Sequence, residues 1–299
     1  MEKPRGDGRR WGRRIAAALA VAVVALLGYG ALVEPRLILD VRTLDVELPR
    51  FPERTEATVA VFADLQVGMW FANTAMIERV VDEVVRRRPT AAVVAGDLVY
   101  GDAQDPAAQA VAVAELLEPL PLAGIPTYVV FGNHDHAVDA VQPLIAALAR
   151  RGVGVLRNEA VPLPGPGPRV SALHLVGLGA YRFGRTDVAA ALAEVPDGAP
   201  RLVVMHNPLS FRALPPGSAP VAVAGHTHCG QIALPGLPVW SLLELRADER
   251  LALAGWAPAG YGAPGNALFV TCGIGFSRIP VRINAPPQLV FVRMEGEGS

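Results

Sequence analysis

Gly225-His226-Thr227-His228 sets two imidazoles one residue apart at the end of the apolar run 221–224. On an extended backbone, residues two apart share a side and stand about 6–7 Å from each other, so the pair can face two neighbouring metal ions. Four other short polar segments end comparable apolar runs: Asp64-Leu65-Gln66, Gly96-Asp97, Gly132-Asn133-His134-Asp135 and His206-Asn207. Carboxylates, amides and imidazoles are the side chains that hold divalent cations. A lone His is ordinarily a satisfied surface or core residue, and Gly-Asp after a strand is ordinarily a turn. Here four of the six histidines follow strand-like runs inside short Gly, Asp or Asn loops, which chance explains poorly. His174, inside Leu173-His174-Leu175, keeps the structural reading, and the sequence leaves His136 undecided.

The elements that must position these residues alternate. The β-branched run 58–63 leads to Asp64, and a helix over 73–88 follows, with Ile77, Val80, Val81, Val84 and Val85 at helical spacing, Asn73 or Thr74 as its cap and Pro89 after it. Strand 91–95 leads to Asp97, a helix over 106–117 follows, strand 127–131 leads to Asn133, and a helix over 138–151 comes next. The chain is then more β-like through 153–156 and 170–177, with a Pro/Gly-rich loop at 162–168, before the runs 202–205 and 221–224. This β-α-β-α order predicts a largely parallel sheet with helices on its faces. In such sheets sites form beyond the carboxyl ends of the strands, so the five polar segments have reason to meet.

A chain of 299 residues fits one large domain or two ordinary ones. Alanine and one N-terminal stretch inflate the 52% apolar content, so it does not indicate a multi-spanning membrane protein. Net charge is −1, and the first fourteen residues hold six Lys/Arg against two Asp/Glu, which leaves the remainder acidic. No basic face for nucleic acid is evident, and none is expected as a partner. Residues 1–14 read as a basic cytoplasmic flank and 15–33 as an uncharged run of nineteen residues. At ~1.5 Å per residue such a run nearly matches the ~30 Å hydrocarbon core of a bilayer. Its basic flank favours export of the rest of the chain. A transmembrane anchor and a cleavable signal segment with small residues at 28–31 are the competing readings, and the arginine pairs at 9–10 and 13–14 also invite a twin-arginine export reading. Residues 34–57 read as a tether with an edge strand, 58–293 as the catalytic domain and 294–299 as a tail. Cys229 and Cys272 are too few for a disulfide framework and lack CxxC spacing. They pair if the domain is extracytoplasmic, and otherwise remain two thiols.

Together, Asp64-x-Gln66, Gly96-Asp97, Gly132-Asn133-His134-Asp135, His206 and Gly225-His226-Thr227-His228 resemble the calcineurin-like metallophosphoesterases over roughly residues 58–293. The Gly225–Gln231 extension, the Cys272–Gly275 stretch and Pro280-Val281-Arg282 with Pro286-Pro287 are similar to the bacterial membrane-anchored phosphodiesterase branch. The resemblance implies an α/β fold: a four-layer sandwich of two mixed sheets flanked by helices, preceded here by one N-terminal transmembrane helix. It implies two divalent metal ions, one held by Asp64, Gln66 and His228, the other by Asn133, His206 and His226, with Asp97 bridging. Such a pair, roughly 3.5–4 Å apart, shares a hydroxide that attacks the phosphate ester directly. His134 then contacts the phosphate or protonates the leaving group, with Asp135 orienting its ring.

Gln66 stands where that family usually has His. Its neutral amide oxygen is a weaker donor, shifts the first site toward Mn²⁺, with Fe and Zn as the other candidates, and lowers its affinity. Cys229 replaces a common glycine, and Gln288 replaces a common Glu with no consequence that follows. For substrate contacts, the sequence offers Trp70, Phe71, Tyr100 and Asp102 after the first two metal loops, the cluster Tyr181, Arg182, Phe183 and Arg185, and Arg278 in the last glycine loop. Arg182 and Arg278 are the candidates for the phosphate. The expected function is phosphodiester hydrolysis, with a lipid- or envelope-derived phosphate ester as substrate because an anchor would hold the site near a membrane. A phosphomonoesterase or pyrophosphatase of the same fold, and a non-catalytic envelope binding protein with a degenerate site, are the rival readings.

Overall fold

Small and β-branched residues make strands that are apolar on both faces. In β2 (Glu56–Phe62), Ala60 and Phe62 face one way, Val59 and Val61 the other, and all four are buried. Such a strand needs cover on both sides. The computed structural model, which describes residues 7–51, 55–101, 105–163, 173–234, 236–237 and 239–296, supplies that cover as two stacked six-stranded mixed sheets. The loop expected at 162–168 lies outside the described residues beyond Leu163.

The first sheet runs in the order β1 (Asp40–Leu48), β12 (Gln288–Gly296), β2, β3 (Ala91–Ala95), β4 (Thr127–Val130) and β5 (Val153–Val155). All its neighbours are parallel except β12 and β2. The second runs β10 (Gly255–Trp256), β11 (Leu268–Val270), β9 (Val221–Ala224), β8 (Arg201–Met205), β7 (His174–Gly177) and β6 (Glu159–Pro162), antiparallel only at its two edge pairs.

Val59, Val61, Val93, Leu202, Val204 and Val223 fill the space between the sheets. Outside the first sheet, α3 (Thr74–Arg87), α4 (Pro106–Leu117), α5 (Pro119–Leu122) and α7 (Val141–Arg150) bury Ile77, Val80, Val113, Leu120 and Leu144 against Ala60 and Phe62. Outside the second, α8 (Val188–Ala193) and the 3-10 segment Pro208–Ala213 bury Ala191 and Phe211. Each fully buried Val or Leu contributes about 1.5–3 kcal/mol, so these layers fix the strand ends firmly. The expected four-layer architecture is the one observed. The short helices α6 (Asn133–Ala137) and α9 (Ala247–Leu251) sit at the strand ends.

At the N-terminus, α1 (Asp7–Gly28) continues through a π turn, Tyr29–Val33, into α2 (Glu34–Leu37). By length and composition this is a helix able to cross a membrane, and little of it packs against the rest of the molecule. The segment expected as a tether differs from a loose linker in two respects. Residues 40–48 are the expected edge strand, paired with β12 along their whole length. Before them, the buried Glu34 carboxylate accepts from the backbone N–H groups of Asn284 and Ala285, and Arg36 donates to the carbonyls of Phe71 and Ala72. Asn73 does not cap α3 with its side chain. Its amide nitrogen donates to Pro35 O and Ile274 O and so ties the helix start to α2. At the other end, β12 carries the first three residues of the expected tail, 294–296.

Candidate metal centre

The loops leaving β2, β3, β4, β8 and β9 converge. Asp64, Gln66, Asp97, His226 and His228 all have left-handed backbone, with φ of 57°, 51°, 53°, 74° and 50°. Non-glycine residues adopt that region at a cost, and such strain concentrates at functional sites. Glycines give the ligands room: a Cβ on Gly132 would lie 2.1 Å from Asp97 Oδ1, and one on Gly273, 2.5 Å from Asp64 Oδ2.

One half of the site is built around His206. Its Nδ1–H donates to Ala95 O at 2.9 Å, which leaves the lone pair of Nε2 facing inward. Asp97 Oδ2, Asn133 Oδ1 and His226 Nδ1 each lie 3.2 Å from that nitrogen. His226 Nε2 is 3.2 Å from Glu249 Oε1, so its proton belongs there and Nδ1 is left as an acceptor. With both rings neutral, four lone-pair atoms point at one another with no hydrogen between them. That donor set fits a divalent cation, and Ala95 O and Glu249 are the kind of outer partners that would orient the two imidazoles toward one. Asp97, His206 and His226 are all buried. Without a cation, a proton takes its place: burial favours neutral His206, but the adjacent Asp97 carboxylate outweighs it and raises the imidazole to about 9. Burial likewise pushes Asp97 up, but His206 and His134 together hold it far below the usual carboxylate range.

The other half is looser. Asp64 accepts from the backbone N–H of His226 at 3.1 and 3.2 Å, and its Oδ1 lies 3.5 Å from His228 Nε2. Burial pushes Asp64 up to about 7. Gln66 Nε2 donates to Asp97 Oδ2 at 3.1 Å, while Gln66 Oε1 is buried with no hydrogen-bond partner among the described residues. An orphaned amide oxygen beside Asp64 and Asp97 is what a ligand position for a cation would leave, so the residues present fit a metal here as well. Burial, reinforced by the Arg282 charge, keeps His228 neutral and able to ligate.

His134 and Asp135 stand at the start of α6. The backbone N–H of Gly101 donates to His134 Nδ1 at 2.7 Å, so the ring proton sits on Nε2, 3.9 Å from Asp97 Oδ2. The expected contact between Asp135 and this ring is absent. Asp135 Oδ1 instead accepts from the N–H groups of Leu98 and Val99, and Oδ2 from Gly132, so it locks the β3 and β4 loops together. The ring is held by Gly101 because the Asp135 carboxylate is already saturated by backbone amides.

A cavity of 330 Å³ opens over Asp97, Asn133, His134, His226 and His228, and both Arg182 and Arg278 line it. Arg182 Nη2 is 3.2 Å from both Glu249 oxygens, and Arg278 pairs with Glu244. Tyr100 also lines the cavity, whereas Trp70, Phe71, Tyr181, Phe183 and Arg185 do not, and Asp102 lies outside the described residues.

Sequence reading missed two residues. Glu249 joins His226, Arg182 and Asn207, whose Nδ2 donates to it at 2.8 Å, and nothing in Ala247–Leu251 marks it out. Arg282, noticed only as part of a motif, is fully buried, donates to Gly275 O, Ala285 O and Cys272 O, and stands 3.3 Å from His228 Nδ1. The Pro280-Val281-Arg282 motif is its one signal in the sequence. Cys229 and Cys272 form a disulfide that joins the His228 loop to the end of β11.

A family model for the calcineurin-like phosphoesterases matches residues 57–230. An uncharacterized metallophosphoesterase of Aquifex aeolicus is 27% identical over 269 residues, 87% of this chain and 94% of that protein. The phosphodiesterase YaeI of Escherichia coli is 27% identical over 245 residues, 79% of this chain and 81% of its own. A Helicobacter pylori metallophosphoesterase is 26% identical over 250 residues, 80% of this chain, and the match spans 60% of its length.

Proposed function

This chain belongs to the calcineurin-like phosphoesterase family, and we propose that it is a two-metal phosphodiesterase whose catalytic domain is held at the outer face of a membrane. The observation that carries the reading is the nest of His206 Nε2, Asp97 Oδ2, Asn133 Oδ1 and His226 Nδ1, all within 3.2 Å of the first. Asn133, His206 and His226 would hold one ion and Asp64, Gln66 and His228 the other, with Asp97 available to both. Bound divalent ions supply Lewis acidity toward a phosphoryl oxygen and acidify a water. The oxygen-rich set around Gln66 favours Mn²⁺.

The protein residues do the rest. Gly101 fixes His134 with its proton on Nε2, beside Asp97 and toward the cavity, which suits donation to a phosphoryl or leaving-group oxygen. Arg182 and Arg278 stand at the cavity wall, each already shared with a glutamate, so the net positive charge offered to substrate is small. That balance suits a singly charged diester better than a dianionic monoester. The YaeI relative carries the name phosphodiesterase. The disulfide and the basic flank of α1 support an extracytoplasmic domain. A lipid- or envelope-derived ester is the substrate class this placement favours.

After Mn²⁺ loading, the chain is expected to hydrolyse an aryl phosphodiester faster than the matching monoester. Asp97→Ala and His226→Ala should each remove at least about 10²-fold of that turnover. Full activity in both variants would sink the mechanism.

A further inference from the structure

The apolar helix leaves the domain at a rigid joint. A Cβ on Gly30 would lie 2.8 Å from both Val281 Cγ1 and Ile283 Cγ1, and Arg282 N–H donates to Gly30 O at 2.8 Å. Four residues on, Glu34 is clamped by Asn284 and Ala285, and the Arg36 guanidinium lies 4.1 Å over the Phe71 ring. No flexible linker separates this helix from the domain.

Three loops meet that joint, and each exposes large apolar side chains. The loop held by Arg36 carries Trp70, 75% exposed. The loop tied by Ala233 N–H to Ile283 O carries Leu234, Leu237 and Val239, the last two 52% exposed. The loop that packs on Gly30 carries Ile279, 39% exposed, between Arg278 of the cavity wall and Val281 of the joint. Single exposed apolar residues are ordinary, but here each of the three loops tied to the exit of a membrane-length helix carries them. Trp at such a position favours the interface between headgroups and acyl chains.

We infer that these loops form a collar seated in the same lipid leaflet that α1 enters, with Trp70, Leu234, Leu237, Val239 and Ile279 as its contacts. The loop of Ser277 and Arg278 belongs both to the collar and to the cavity wall, so the cavity receives phosphodiesters presented by lipid headgroups without their leaving the leaflet. This deepens the phosphodiesterase reading and rests on it for the substrate, while the seating itself can be measured without turnover.

For the seating, the full chain carrying Trp11→Phe, Trp240→Phe and Trp256→Phe keeps Trp70 as its one tryptophan. It would be reconstituted in phosphatidylcholine vesicles with and without acyl chains brominated near the headgroup. Trp70 emission is expected to fall about twofold in the brominated vesicles, as for an interfacial indole. Emission unchanged in a chain that resists alkaline carbonate extraction overturns the collar and leaves the anchor standing. Extraction of the chain overturns both.

For the function, Leu237→Ser with Val239→Ser should raise the apparent KM for a vesicle-borne phosphatidyl aryl diester about tenfold and leave soluble aryl diester turnover unchanged. Equal loss on both substrates, or on neither, overturns the headgroup assignment. Absence of all diester turnover in the unsubstituted chain, with Trp70 quenched, would instead reject the phosphodiesterase reading.

Discussion

His206 and Asp97 face each other at 3.2 Å in a buried pocket, and in the metal-free chain their charges depend on one another. His206 is raised from 6.5 to about 9, so its shift contributes stability that is full below pH 6.5 and lost as pH rises through 9. Asp64, raised from 3.8 to about 7, acts with the same sign at lower pH, because its folded form keeps a proton that its unfolded form gives up. The metal-free chain should therefore lose thermal stability between pH 6.5 and 9, as scanning calorimetry would show. A divalent ion must displace the His206 proton, so Mn²⁺ affinity should rise through the same window, and titrations in buffers of different ionisation enthalpy should register proton release. Gln66→His replaces an amide oxygen with an imidazole and should raise occupancy at the Asp64 site by about tenfold in affinity, read by equilibrium dialysis with metal analysis. An unchanged occupancy would show that position 66 is no ligand. Glu249→Gln keeps the shape but weakens the acceptor for His226 Nε2–H, and should cost about 10–100-fold in metal affinity.

At the scale of elements, the site is a set of strand ends drawn together by loop-to-loop ties. Gly275 N–H donates to Asp64 O at 2.7 Å, Arg282 grips three carbonyls of its own and neighbouring loops, and the disulfide joins residues 43 apart in sequence. Closing a loop of that length contributes about 2–4 kcal/mol. Cys229→Ser with Cys272→Ser should lower the midpoint of urea unfolding correspondingly and weaken metal binding through the adjacent His228. An unchanged midpoint would mean the disulfide adds nothing to the fold. The strands themselves were readable from their β-branched runs and the helices from their apolar spacing. The reversal of β12 beside β2 was not, because an antiparallel partner from the far end of the chain leaves no local pattern.

At the scale of the whole molecule, the segment 34–48 belongs to the folded unit: α2 is clamped by its hydrogen bonds, and β1 lies beside β12. A chain beginning at residue 29 is expected to keep its thermal midpoint in detergent-free buffer or detergent, whereas one beginning at 39 loses the Glu34 and Arg36 ties and should melt several degrees lower. Equal midpoints would restore the view of 34–39 as a plain linker. The sequence by itself determined the strands, the helices between them and the polar residues at their ends, because apolar periodicity and short Gly, Asp and His loops are local properties. It also marked Gln66 as the odd member of the candidate ligand set. Only the tertiary structure decided which nitrogen of each imidazole is free, that Gly101 rather than Asp135 holds His134, that Glu249 and Arg282 stand behind His226 and His228, that the two cysteines pair, and that the end of the apolar helix packs on Val281 and Ile283. These are contacts between residues tens to hundreds of positions apart. Packing of the two sheets, rather than spacing along the chain, brings them within reach.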